Sequence, residues 1–221
     1  MLLRYHLRTL FSPYHLALLP LVAALALLWP AGSVDDQRFL QWALERTELL
    51  GPLGLMPLVA AILQVEGRTD ERWGIAPTGL GGLFIQRWLL VLTYYAAALG
   101  LFLAVAGSRI DAFPFWRTFL SALVTAALFS LVGPLVASRT GSAASGWAAG
   151  LAIFFGSLVV AQFWCPHDSV YQLWLPFAGV SDAGTTTLAL SKGAYAGLTL
   201  LLLGALHRSL LVPERLIGRA E

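Results

Sequence analysis

Charge is what this sequence most lacks. Only 12% of its 221 residues are charged, where an ordinary soluble domain carries about a quarter, and that shortfall excludes a water-soluble domain of ordinary surface. One cysteine, Cys165, excludes an internal disulfide. No Gly-x-x-x-x-Gly-Lys-[Ser/Thr] stretch occurs, so the chain lacks that device for cradling nucleotide phosphates. The net charge is +2, with no basic tract and no acidic tail, and no nucleic-acid partner is expected. Acidic residues are expected in loops or at span ends, and no Lys or Arg in mid-span. The buried ionisable group on which ion-coupled transporters and proton pumps depend is therefore expected to be missing.

What the sequence does have is long apolar runs. Six can be marked, at 14–31, 49–65, 88–106, 119–137, 147–164 and 194–212. Each approaches the ~17–25 residues that a helix needs to cross about 30 Å of hydrocarbon. Pro20, Pro52, Pro57 and Pro134 fall inside them, which membrane helices tolerate better than soluble ones. The first run is longer than the ~7–15 residues of a signal-peptide core and is interrupted by Pro20, so it is read as a span. The fold expected is all-α: a polytopic membrane protein with six transmembrane helices, forming a single domain over 1–221.

Arginine and lysine set the orientation. The N-terminus, the 66–87 loop, the 138–146 loop and the C-terminal tail hold nine of them, and the other three loops hold five (Arg38, Arg46, Arg109, Arg117 and Lys192). Both termini are therefore expected in the cytoplasm. Residues 1–12 read as an interfacial helix, with Leu3, Leu7, Leu10 and Phe11 on one face and Arg4 and Arg8 on another. The stretch "DDQRFLQWALERTELL" reads as a second such helix on the outer side.

Several local patterns are weak signals. "TGLGG" (Thr78–Gly82) follows no strand and lacks the P-loop lysine, and reads as a turn into the third span. "WCPHD" (Trp164–Asp168) gathers Cys165, His167 and Asp168 but falls short of a four-ligand set, so no metal is expected there. Thr93, Tyr94, Tyr95, Ser121, Thr125, Ser130 and Gln162 are scattered polar residues suited to bonding across helices. The small-xxx-small pairs Gly146/Gly150 and Gly193/Gly197 permit close helix approach in lipid, one within the bundle and the other between subunits.

The densest charge lies in "QVEGRTDERWGIAPTGLGGLFIQRW", where Glu66, Arg68, Asp70, Glu71 and Arg72 fall within seven residues. With Glu66-Gly67 at its entry, Pro77 at its turn and Arg87 ten residues on, this loop resembles that of the ABC-2 type permeases, the membrane subunits of many bacterial ABC exporters. "LWLPF" (Leu173–Phe177) is similar to the aromatic-Pro segment that the family carries before its sixth span. The loop departs from the family pattern at Arg68-Thr69 and in "DERWGIA". The resemblance implies a short cytoplasmic coupling helix between spans two and three, seated on a separate ATPase. Its contacts would come from Glu66, Gly67, Arg68, Asp70, Glu71, Arg72, Trp73, Pro77 and Arg87. It also implies a second permease subunit of the same or a different chain, a place in the bacterial inner membrane, and no cofactor on this chain, with ATP and Mg on the partner. Apolar, aromatic-rich spans suit an amphipathic peptide or lipid-like cargo. The alternatives are an intramembrane enzyme acting on lipid or peptide, and a non-transporting scaffold.

Overall fold

A computed structural model of the chain describes residues 79–108, 113–140, 142–163 and 185–210, together with Thr47, Glu48, Pro52, Leu55, Met56 and Val59. The regular structure among them is entirely helical: α1 (Gly79–Gly107), α2 (Phe115–Thr140), α3 (Ala143–Phe163) and α4 (Thr185–Leu210). Three apolar stretches, Gly81–Val105, Phe115–Thr140 and Thr186–Leu210, are long and apolar enough to cross a membrane. Thr47, Glu48, Pro52, Leu55, Met56 and Val59 are also helical and buried, and from Glu48 to Val59 their spacing is that of one helix face.

The helices outrun the apolar runs that foretold them. The hydrocarbon fixes only the greasy middle of a span, while backbone hydrogen bonding continues through the headgroup layer. Two expectations are corrected as a result. Gly79–Gly82 form the opening of α1 instead of a turn, and Lys192, placed in an outer loop by its charge, lies seven residues beyond the start of α4.

α2 is the hub. Over its most apolar 18 residues 61% are buried, against 28% over the corresponding stretches of α1 and α4. The chain direction alternates from α1 to α3, and α4 runs parallel to α2, since Lys192 meets Thr125 near their N-terminal ends and Ser209 meets Ser138 near their C-terminal ends. The main core joins Leu55 and Val59 to Phe84, Trp88 and Val91 of α1, Ala126, Ala127 and Leu131 of α2, and Leu206 and Leu210 of α4. Trp88 Nε1 donates to Ser130 Oγ at 2.9 Å across the α1–α2 seam.

α2 and α3 meet through glycine. A Cβ at Gly133 would lie 3.2 Å from the carbonyl oxygen of Gly146, and one at Gly146 would collide with the backbone oxygen of Gly133. Gly150 sits over the same Gly133, its Cβ position 3.8 Å from that Cα. Missing side chains thus bring two backbones together, as small residues do in lipid.

The outside of the bundle is greasy. Leu190, Leu200 and Leu201 are 62%, 69% and 71% exposed, a surface suited to hydrocarbon and costly in water. Trp116 is exposed at the start of α2 and stacked edge-on with Phe115 and Phe119. Arg139 marks the opposite end of that helix. At 1.5 Å per residue the two are about 35 Å apart, matching a hydrocarbon core with its boundaries.

Candidate functional site

Among the described residues, a polar cluster of opposite charges is buried in this apolar bundle. Glu48 is 0% and Lys192 8% exposed. Lys192 Nζ lies 3.2 Å from Glu48 Oε1 and donates to Thr125 Oγ1 at 2.7 Å. Thr125 Oγ1 in turn donates to the backbone carbonyl of Ser121 at 2.9 Å, and Ser121 Oγ donates to the same Glu48 oxygen. Ser121 and Thr125 are four apart on α2, hence on one face, so one turn of α2 serves as the floor of the pair. Lysine from α4, hydroxyls from α2 and carboxylate from the 47–59 segment close a ring.

The ring corrects the expectation that no ionisable group is buried in the bundle. Ser121 and Thr125 bond across helices, as expected of them, and they do so in one cluster. A carboxylate or ammonium alone in such surroundings would cost several kcal/mol. Paired and hydrogen-bonded, the two can sit inside because each neutralises the other and the hydroxyls of Ser121 and Thr125 bond to Glu48 Oε1 and Lys192 Nζ. The ring lies seven residues into α4 and six to ten into α2, about 10–15 Å from their N-terminal ends.

Two atoms beside the ring are left over. Among the described residues, Glu48 Oε2 and the hydroxyl of Tyr95 are buried without a hydrogen-bond partner. Tyr95, on α1, brings a third described helix to the cluster. The chemistry is that of a hydrogen-bonded ion pair.

The residues singled out from sequence are distributed as follows. Glu66, Gly67, Arg68, Asp70, Glu71, Arg72, Trp73 and Pro77 lie outside the described residues, as do Cys165, His167 and Asp168. Arg87 is in α1, buried to 4% exposure. Gly146 and Gly150 pack on Gly133, whereas Gly193 and Gly197 are exposed and, among the described residues, a Cβ on either would meet no heavy atom within 4 Å. Among the described residues no group of three or more His, Cys, Asp or Glu could hold a metal. The sequence reading missed Glu48 and Lys192 as a pair. The available signal was a lysine inside "LALSKGAYAGL", with apolar residues on both sides.

Comparison of the chain with protein-family models, with curated proteins and with solved structures returns no match.

Proposed function

We propose that this chain is the membrane-spanning permease subunit of an ABC exporter. In this reading it crosses the inner membrane six times with both termini in the cytoplasm. A separate ATPase drives it, and it works beside a second permease subunit on an amphipathic peptide or lipid-like cargo. The observation that carries the reading is the charged stretch from Glu66 to Arg87 between two apolar runs, in the pattern of a coupling loop. α1 adds physical support. It begins at Gly79, two residues after Pro77, and runs unbroken for 29 residues. A push on the loop would pass into a continuous helix about 43 Å long.

The charges of Glu66, Arg68, Asp70, Glu71 and Arg72 suit register-setting contacts on a soluble partner, and Trp73 suits an anchoring pocket. Replacing Glu66, Arg72 and Trp73 together by Ala removes one charge of each sign and the aromatic, keeping Arg68 and Arg87 as orientation signals. Loss of a buried aromatic anchor costs about 2 kcal/mol or more, roughly thirtyfold in affinity. The triple variant should reach wild-type membrane levels yet fail to hold the ATPase through affinity purification, while the wild-type chain co-purifies as an ATP-hydrolysing complex. Undiminished ATPase retention by the variant would refute the coupling assignment.

A further inference from the structure

We infer that the Glu48–Lys192 pair is a charge-dependent joint that carries movement of the 47–59 segment into α4, making both residues positioning residues for transport. The inference rests on the permease reading, in which the loop moved by the ATPase follows this segment in the chain.

The argument starts from what else holds the segment. Leu55 and Val59 lie in the main core, and Met56 packs with Phe129 and Phe154. Apolar contacts of this kind are non-directional, and helices packed through them can shear past one another. Glu48 is held differently. It binds Lys192 of α4 and Ser121 of α2 at a fully buried position. In low dielectric the attraction between opposite charges is steep in distance, so drawing Glu48 along the segment pulls Lys192 with it. α4 is the helix such a pull can move. Its outward face bears Leu190, Leu198, Leu200 and Leu201, all exposed, and a Cβ at Gly193, Gly197 or Gly204 would meet nothing within 4 Å among the described residues. α2, by contrast, is clasped to α3 through Gly133 and Gly146.

A purely structural role gives a different expectation. A buried ion pair replaced by neutral groups of similar volume is often neutral for stability or better. The paired substitution Glu48→Gln with Lys192→Met would then change nothing measurable, whereas a joint would lose its transmission and keep its fold.

The test needs no cargo. Thr186, exposed in the first turn of α4, is replaced by Cys in a Cys165→Ser background. The chain is reconstituted with its ATPase, and labelling by an impermeant maleimide is timed without nucleotide and after trapping with ATP and vanadate. In the otherwise unsubstituted chain, trapping should change the labelling rate at least fivefold. With Glu48→Gln/Lys192→Met the complex should still form and hydrolyse ATP while that change falls below twofold. The charge-swapped pair Glu48→Lys/Lys192→Glu should recover it, and this variant also decides the matter if the neutral pair fails to accumulate. A neutral pair that responds like wild type, a swapped pair that folds but does not respond, or a wild-type α4 that never responds would each overturn the joint and leave the permease reading standing. A wild-type chain that retains no ATPase would remove both.

Discussion

The energetic weight of the buried pair can be put to a direct test by a double-mutant cycle on Glu48 and Lys192. Lys192→Met leaves a carboxylate at 0% exposure, with Ser121 still donating to Oε1 and Oε2 already without a partner among the described residues. Glu48→Gln leaves an ammonium that keeps Thr125 as an acceptor at 2.7 Å and can still donate to the Gln carbonyl. Stranding one partner of a buried pair costs about 3–5 kcal/mol. Lys192→Met should sit at the upper end of that range and Glu48→Gln below it, because more of the ammonium's bonding survives. The double variant should come within about 1 kcal/mol of wild type, since neither charge is then stranded. The coupling energy should therefore exceed about 2 kcal/mol. That threshold is diagnostic, because neutral hydrogen bonds between membrane helices average about 0.6 and reach about 1.7 kcal/mol. Loss of the detergent-solubilised monomeric peak on heating gives the readout. With about 2–4 °C per kcal/mol for a chain of this size, Lys192→Met should melt roughly 8–20 °C early and the double variant within about 4 °C of wild type. Additive single effects, with coupling below about 0.5 kcal/mol, would show that the two residues do not sense each other's charge, and the cluster would lose its claim to be an ion pair.

Two further outcomes follow from glycine contacts and use the same melting assay. Gly146→Val should lower the melting midpoint by roughly 5–10 °C, because its Cβ meets the unyielding backbone of Gly133 and such overpacking costs about 1–3 kcal/mol or more. Gly193→Val, with nothing within 4 Å among the described residues, should melt within about 2 °C of wild type, and equal losses at both sites would contradict the α2–α3 packing. Gly81→Ala should cost about 1–3 kcal/mol by pressing on the His207 ring, and adding His207→Ala should recover most of it. No recovery would mean that α1 and α4 do not meet there.

The centres of the described helices were legible in the sequence, because an uninterrupted apolar run has few other solutions in a chain so poor in charge. Their ends were not. A run-finder halts at the first polar residue, so it began the last span at Ala194, whereas the helix takes in Thr185 to Gly193 as well. α1 likewise starts nine residues before Trp88, absorbing glycines whose composition suggested a turn. Gly146 and Gly150 announced close approach, but the partner surface in α2, Gly133 with Ala137 four residues on, has the same small-xxx-small spacing and was not singled out.

The pair Glu48–Lys192 was hidden for a deeper reason. Its members stand 144 residues apart, and each alone looks like a span boundary, since a single charge is the ordinary mark of one. Burial becomes affordable only when both are present with Ser121 and Thr125 beneath them, a condition that exists in three dimensions and nowhere in a local window. The same element of sequence, a charge beside an apolar run, therefore has two physical outcomes. At Glu66–Arg72 five charges fall within seven residues, a density that suits water or a soluble partner better than hydrocarbon. At Glu48 and Lys192 one charge of each sign finds its opposite and is drawn inside. Charge count and partner supply decide which outcome a residue takes, and the second is set by the packing of α2 against α4 and the 47–59 segment.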